Sequence, residues 1–139
     1  MTLTTSRPTP LLISYAVAVD ALLVVAFAAS GRSSHAESLS IAGVFSTAWP
    51  FLAALAIGWL VTRNWLQPVR LWPNGVCIWL ITLSGGMALR ILSGGTALRI
   101  LSGGTAAFAF VVVATLVLAL FLLGHRAIAA SVLRRTSKR

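Results

Sequence analysis

Residues 11–29 read LLISYAVAVDALLVVAFAA, an apolar run that contains one charged side chain, Asp20. The hydrocarbon layer of a bilayer is about 30 Å thick and an α-helix rises about 1.5 Å per residue, so a run of this length is sufficient to cross it. Backbone N–H and C=O groups find no water inside a bilayer and must pair within the segment, which restricts the run to a helix. This stretch therefore predicts a membrane-spanning α-helix.

Three further apolar runs follow, near residues 41–62, 74–92 and 104–123. The 139-residue chain is 58% hydrophobic and only 9% charged. These charged side chains are too few to cover the surface of a soluble fold. We therefore expect an all-α fold, a polytopic membrane protein in which a four-transmembrane-helix bundle forms a single membrane domain over residues 1–139.

The first run has a second interpretation, as a cleaved signal peptide. A short segment with Arg7 precedes it, and Ala26-Phe27-Ala28 resembles a cleavage site. The apolar core of a signal peptide is usually shorter, about 7–15 residues, and uncharged. Because this run is longer and contains Asp20, we expect it to be retained.

The cations lie mainly near the ends of the apolar runs, and the net charge is +9. With four spans, the N-terminus, the second loop and the basic tail at 125–139 share one side, which carries eight cations against three on the other side. The eight are Arg7, Arg63, Arg70, Arg126, Arg134, Arg135, Lys138 and Arg139, and the three are Arg32, Arg90 and Arg99. The positive-inside rule then places both termini in the cytoplasm, and we expect a plasma-membrane protein. Because apolar residues lie among the cations of the tail, we expect it to continue the fourth helix and then to fray along the membrane surface.

The expected partner of these cations is the anionic headgroup layer of the bilayer, and not nucleic acid. Trp59, Trp65 and Trp72 fall near the second loop, as in an aromatic belt at the membrane surface. A homo-oligomer or another membrane protein stays open as a further partner.

A nine-residue repeat runs through the third apolar stretch. Residues 83–91 read LSGGMALRI, residues 92–100 read LSGGTALRI, and another copy begins at residue 101. Nine residues at about 100° each leave a helix rotated by half a turn, which would direct one side of a span away from the bundle. We therefore expect the extra copy to enlarge the connection around residues 93–103. The glycines at 85–86 are expected to pack against another helix.

Asp20 is the most informative residue for a site, because a carboxylate at the centre of a span costs about 2.5–3.5 kcal/mol on insertion scales. Thr82, Ser84 and Thr115 lie at a similar depth in other spans, and we expect their hydroxyls to hydrogen-bond the carboxyl. Arg90, nearer the outer side, is an alternative partner. This arrangement predicts a polar clasp that fixes helix packing. The alternative is a proton or cation relay in a small transporter or proton-coupled carrier.

A second polar group is expected at the outer face, formed by Arg32, His35 and Glu37 with Arg90. A histidine beside a carboxylate can respond to pH or join a metal site. Two potential ligands do not make a metal site, however, so we expect an exposed interfacial loop and no metal or other cofactor. Cys77 is the single cysteine, which excludes a disulfide within one chain.

Motifs for catalysis are absent from the sequence: there is no HExxH, no GxSxG, no phosphate loop and no pair of neighbouring carboxylates. We therefore expect no enzymatic activity. The expected function is that of a structural or partner-binding membrane subunit.

The stretches DALLVVAFAASGRSSHAE (20–37), TAWPFLAALAIGWLVTRNW (47–65) and GGTAAFAFVVVATLVLALFLLGHR (103–126) resemble the small bacterial membrane proteins grouped as domain of unknown function 3054. The resemblance covers about residues 11–126. It implies four spans, a source largely among actinobacteria, and no known activity. The matching positions are Asp20, Gly31, Arg32, His35, Trp49, Pro50, Gly58, Trp59, Arg63, Arg90 and Gly124. The duplicated nonapeptide departs from the family pattern, so either Arg90 or Arg99 takes the place of the family arginine.

Overall fold

The computed structural model describes residues 6–34, 39–93 and 105–139. Its four long helices are α1 (Pro10–Ser34), α2 (Ile41–Thr62), α3 (Val76–Leu92) and α4 (Thr105–Thr136). No strand occurs in the three described ranges. The expected all-α fold is confirmed, with four helical segments long and apolar enough to cross a membrane.

The ends of α2 are set by local hydrogen bonds. The Ser40 hydroxyl accepts from the Gly43 N–H at 3.0 Å, which caps the first turn. The helix continues through Pro50 and stops at Arg63, whose left-handed backbone (φ 47°) donates its N–H to the Leu60 carbonyl. The chain therefore turns back sharply toward α3.

The connection from α2 to α3 contains two short turns, Asn64–Leu66 and Leu71–Gly75. Within the second, Trp72 is extended and the Trp72–Pro73 peptide bond is cis. Gly75 ends this turn, and a Cβ placed on it would lie only 3.0 Å from Cδ of Arg126. The missing side chain therefore leaves room for Arg126 of α4 to enter the bundle.

Consecutive helices pack side by side, and α4 contacts both α3 and α1, which closes the bundle. Apolar side chains fill the centre. Phe27 of α1 meets Phe51 of α2 edge-to-face, with ring centroids 5.3 Å apart, while Ile78 of α3 and Leu118 of α4 are fully buried. Each helix thus contributes to one apolar core.

The contact between α2 and α3 depends on small residues. A Cβ on Gly85 would lie 3.0 Å from the Ala54 Cβ, and one on Gly86 would overlap the Phe51 ring. Gly58 likewise faces Ile81 at ordinary contact distance. The expectation that Gly85 and Gly86 serve helix packing is confirmed.

The helix bounds lie close to the expected ones, except that α1 continues to Ser34, five residues beyond the expected end at residue 29. α2 occupies residues 41–62 as expected, and α3 ends at Leu92, where the second nonapeptide copy begins. The connection expected around residues 93–103 lies almost entirely outside the described residues. The tail was expected to continue the fourth helix beyond Leu123, and α4 does continue without a break to Thr136.

Candidate functional site

Asp20 lies on α1, ten residues after the helix begins at Pro10, and is fully buried. Side chains on a helix tilt toward its N-terminus. The carboxyl group is therefore directed toward the end of the bundle at which α1 begins and α2 and α4 end.

Arg126 of α4 pairs with this carboxyl group. Its Nη1 donates to Asp20 Oδ1 at 2.7 Å and its Nη2 donates to Oδ2 at 2.6 Å, which is a bidentate ion pair. The arginine side chain is also fully buried, and Nη1 donates to the Leu122 carbonyl at 2.9 Å. Two opposite charges are therefore enclosed together between α1 and α4.

Two further side chains complete the Asp20 cluster, which we define as Asp20, Trp59, His125 and Arg126. Trp59 Nε1 of α2 donates to Asp20 Oδ2 at 2.8 Å. His125 Nε2 lies 2.6 Å from Asp20 Oδ1. Because an ionised carboxylate only accepts hydrogen bonds, Nε2 is the protonated, donating nitrogen of the imidazole. The cluster links α1, α2 and α4.

The Asp20 carboxylate has all its acceptor positions occupied. A carboxylate offers about four lone-pair sites, two on each oxygen. Oδ1 accepts from His125 and Arg126, and Oδ2 accepts from Trp59 and Arg126. The protein's own side chains therefore satisfy the group and leave no lone pair for a bound ion or an added proton.

The prediction that the hydroxyls of Thr82, Ser84 and Thr115 hydrogen-bond the Asp20 carboxyl is wrong. Ser84 donates to the Leu80 carbonyl at 2.6 Å, and Thr115 donates to the Val111 carbonyl at 2.7 Å, so each bonds its own helix. Thr82 is fully buried, but its hydroxyl has no hydrogen-bond partner. Thr82 and Ser84 lie on α3, which in the described bundle packs mainly against α2 and α4 and not against α1.

The expected role of Arg90 as an alternative partner of Asp20 is also wrong. Its guanidinium group stands 5.5 Å from the centre of the Phe110 ring, while Arg126 takes the place beside the carboxylate. The sequence also assigned Arg126 to the basic tail, whereas its side chain is fully buried beside Asp20. Arg126 is therefore, with Asp20, a charged side chain fully buried inside the bundle.

Two of the four residues expected in the outer-face group, Arg32 and Arg90, are among the described residues. Arg32 donates from Nη1 to the Thr47 hydroxyl at 3.3 Å, which joins the end of α1 to the start of α2. His35 and Glu37 lie outside the described residues. The grouping of Arg32, His35, Glu37 and Arg90 stays a prediction.

Buried polar atoms without a partner concentrate at the same end of the bundle. Within the described ranges, these atoms are Asn64 Nδ2, Thr82 Oγ1, His125 Nδ1 and Arg126 Nε. Two of the four belong to the Asp20 cluster. The described residues contain no group of three potential metal ligands.

Three members of the Asp20 cluster escaped sequence reasoning. Trp59 was assigned to the membrane surface with Trp65 and Trp72; these two are exposed, but Trp59 is only 8% exposed. His125 and Arg126 were assigned to a tail because they follow the last long apolar run. The apolar residues of AIAASVL at residues 127–133 predicted that the helix continues past this pair, but not that the pair points into the bundle.

Comparison with known proteins places the chain in a family. A family model described as "Protein of unknown function (DUF3054)" matches residues 17–129, a range that contains the whole Asp20 cluster. No curated protein and no solved structure matches the chain. The matched range covers most of the sequence, and the chain therefore belongs to the DUF3054 family of proteins of unknown function.

Proposed function

We propose that the protein is a non-enzymatic, structural or partner-binding subunit of the plasma membrane, in which the Asp20 cluster acts as a clasp between helices. The proposed partner is another membrane protein or a second copy of the chain, bound through lipid-facing helix surfaces. The proposed function requires no nucleic acid, metal or other cofactor.

One observation carries this proposal: the Asp20 carboxylate is saturated by donors from α2 and α4. A relay or cation site needs an acceptor that can exchange its partner during transport. Here, release of Asp20 would expose Arg126 as an unpaired charge in a fully buried position, which is strongly unfavourable. A fixed clasp between helices has no such requirement.

We further propose that both termini are cytoplasmic. Removing the buried Arg126 from the count leaves seven cations on the terminal side against three on the opposite side, so the bias keeps its sign. Fusion of a reporter to the C-terminus tests this orientation. A reporter that is active only in the cytoplasm should work there, and activity from one that requires export would overturn the proposed orientation.

A small proton-coupled carrier is the second candidate function, and the contacts of the His125 ring favour it. Its Nε2 bonds Asp20, while its buried Nδ1 has no partner. A proton taken up at Nδ1 would leave the Asp20 contact in place. In this candidate function, His125 exchanges the proton and Asp20 stabilises the resulting cation.

Substitution of Asp20 by Asn distinguishes the two functions. The clasp predicts a lower melting temperature in detergent, because Arg126 would lose its counter-charge. It also predicts no proton flux into proteoliposomes for either the wild type or the variant, as followed by an enclosed pH-sensitive dye. A proton flux that the wild type supports and Asp20→Asn abolishes, with the fold retained, would overturn the clasp in favour of the carrier.

Thr82→Val is the matched control for this experiment. Thr82 is also a fully buried polar residue, but its hydroxyl has no partner to lose. Replacing an unsatisfied buried hydroxyl by a methyl group is neutral or stabilising. A loss of stability as large as that of Asp20→Asn would show that any buried polar change disrupts the bundle, and the clasp would lose its support.

A further inference from the structure

The last part of α4 projects beyond the bundle. A helix of 32 residues is about 48 Å long, whereas the hydrocarbon layer is about 30 Å thick. Every residue from Ser131 to Arg139 is exposed. From here on, the tail means residues 127–139, the part of the basic segment 125–139 that follows the Asp20 cluster. Its residues 127–136 continue α4 as regular helix.

The ion pair between Asp20 and Arg126 fixes the height of this tail. Asp20 lies ten residues into α1, so its Cα is about 15 Å above Pro10 along the helix axis. Arg134 lies eight residues beyond Arg126, or about 12 Å further along α4. Because α1 and α4 run in opposite directions and meet at this pair, the first cations of the tail lie near the level of Pro10, where α1 begins.

The side chains of the tail change from apolar to cationic along its length. Ile128, Val132 and Leu133 are exposed and lie nearest the bundle. The cations follow at Arg134, Arg135, Lys138 and Arg139, with no acidic residue among them. Trp65 and Trp72 are exposed at the same end of the bundle, as is typical of the membrane interface.

The tail also offers a surface suited to a phospholipid headgroup. Val132, Arg135, Thr136 and Arg139 lie next to one another along one exposed face of the tail. Two guanidinium groups there can donate paired hydrogen bonds to phosphate oxygens. The neighbouring apolar side chain can contact the upper part of an acyl chain.

We propose that the tail binds anionic phospholipid headgroups in the leaflet next to it. A lipid fits better than a soluble acidic protein, because α4 holds Arg134 and Arg135 at headgroup height with apolar side chains on their membrane side. This inference goes beyond the proposed subunit function and does not depend on what the Asp20 cluster does.

The test uses the full chain in bilayers of phosphatidylcholine that contain a small fraction of one brominated lipid, either phosphatidylglycerol or phosphatidylcholine. Bromine quenches tryptophan fluorescence on contact, and Trp65 and Trp72 report from the same end of the bundle as the tail. For the wild type, we expect the brominated anionic lipid to quench at several-fold lower mole fraction than the neutral one, since each basic residue near the surface adds to the attraction. The preference should weaken as salt is raised, because exposed charges are screened.

The variant with Arg134, Arg135, Lys138 and Arg139 all replaced by Gln should lose most of this preference. The matched control replaces only the three arginines by Lys, keeps the charge, and should retain a preference of the same sign. Equal quenching by the two lipids in the wild type would overturn the proposal and leave a soluble acidic partner as the alternative. An undiminished preference in the Gln variant would also overturn it, because the lipid would then be bound elsewhere.

Discussion

At the scale of single residues, the Asp20 cluster places two opposite charges and two aromatic donors among apolar side chains. Hydrogen bonds to a charged group are worth more than those between neutral groups, about 1.5–3 kcal/mol against about 1 kcal/mol. In the cluster, Trp59 donates a hydrogen bond to a carboxylate. This bond can be compared with the one that Trp79 donates to a carbonyl.

Trp59→Phe should lower the free energy of unfolding by about 1–2 kcal/mol, because it removes one donor to the buried carboxylate while keeping most of the ring volume. Trp79→Phe is the control, since Trp79 Nε1 donates to the neutral Thr115 carbonyl at 3.1 Å. That change should cost less, about 0.6 kcal/mol. Unfolding in detergent measures both losses of stability. A larger loss for Trp79→Phe would contradict the claim that the bond from Trp59 to the Asp20 carboxylate is the stronger one.

The sequence was sufficient to identify Asp20, because a charged residue inside a long apolar run is energetically costly and marks a polar contact or a functional site. Its partners were not identifiable, because the residues that meet Asp20 lie 39, 105 and 106 positions away in the chain. Counting depth from the ends of apolar runs selected hydroxyls instead, because depth does not tell which way a side chain points and because His125 and Arg126 were counted beyond the end of the fourth run.

At the scale of helices, the most extensive packing is between α2 and α3. In lipid, apolar burial does not drive helices together, so close backbone contact between small residues supplies much of the attraction. Gly86 faces the Phe51 ring and Gly85 faces Ala54. The sequence predicted this role, because the glycine pair falls inside an apolar run that must pack against some neighbour.

Gly86→Ala should destabilise the bundle by about 1–3 kcal/mol, because the new methyl group overlaps the Phe51 ring and forces α2 and α3 apart. Gly124→Ala is the control: a Cβ at Gly124 meets nothing within 4 Å. That change should be neutral or stabilise by up to about 1 kcal/mol through helix propensity. Equal melting temperatures for the two variants would contradict the close α2–α3 contact.

The nonapeptide repeat belongs to the same scale, since one copy lies in α3 and the next follows its end. Deletion of residues 92–100 removes the second copy and puts Leu101 in the place of Leu92. Three residues then remain between that leucine and Thr105, a usual length for a connection between two antiparallel helices. Because LSGG at residues 101–104 replaces LSGG at residues 92–95, we expect the four helices and the melting temperature to be preserved.

Deletion of residues 83–91 is a matched control for this experiment. It gives the same sequence except that Thr stands in the place of Met87. Met87 packs against the core, so this variant should melt at a lower temperature than the first. Loss of folding in both deletions would contradict the expectation that the extra copy only enlarges the connection.

At the scale of the whole molecule, the bundle is a ring of four helices in which polar contacts tie elements that are distant in the chain. The Asp20 cluster joins α1, α2 and α4, and the indole of Trp79 joins α3 to α4. Composition and run length were sufficient to predict the number and class of the helices. They were not sufficient to predict this cross-linking, because it depends on how the helices rotate about their axes.

The most direct test of the clasp is a double-mutant cycle of Asp20→Asn and Arg126→Gln, measured as free energies of unfolding in detergent. Each single change should cost about 3–5 kcal/mol, because it leaves the other charge buried and unpaired. The double variant, which leaves neither charge, should cost less than the sum of the two by about 2 kcal/mol or more. Additive losses would contradict the claim that these two residues hold the bundle together as a pair.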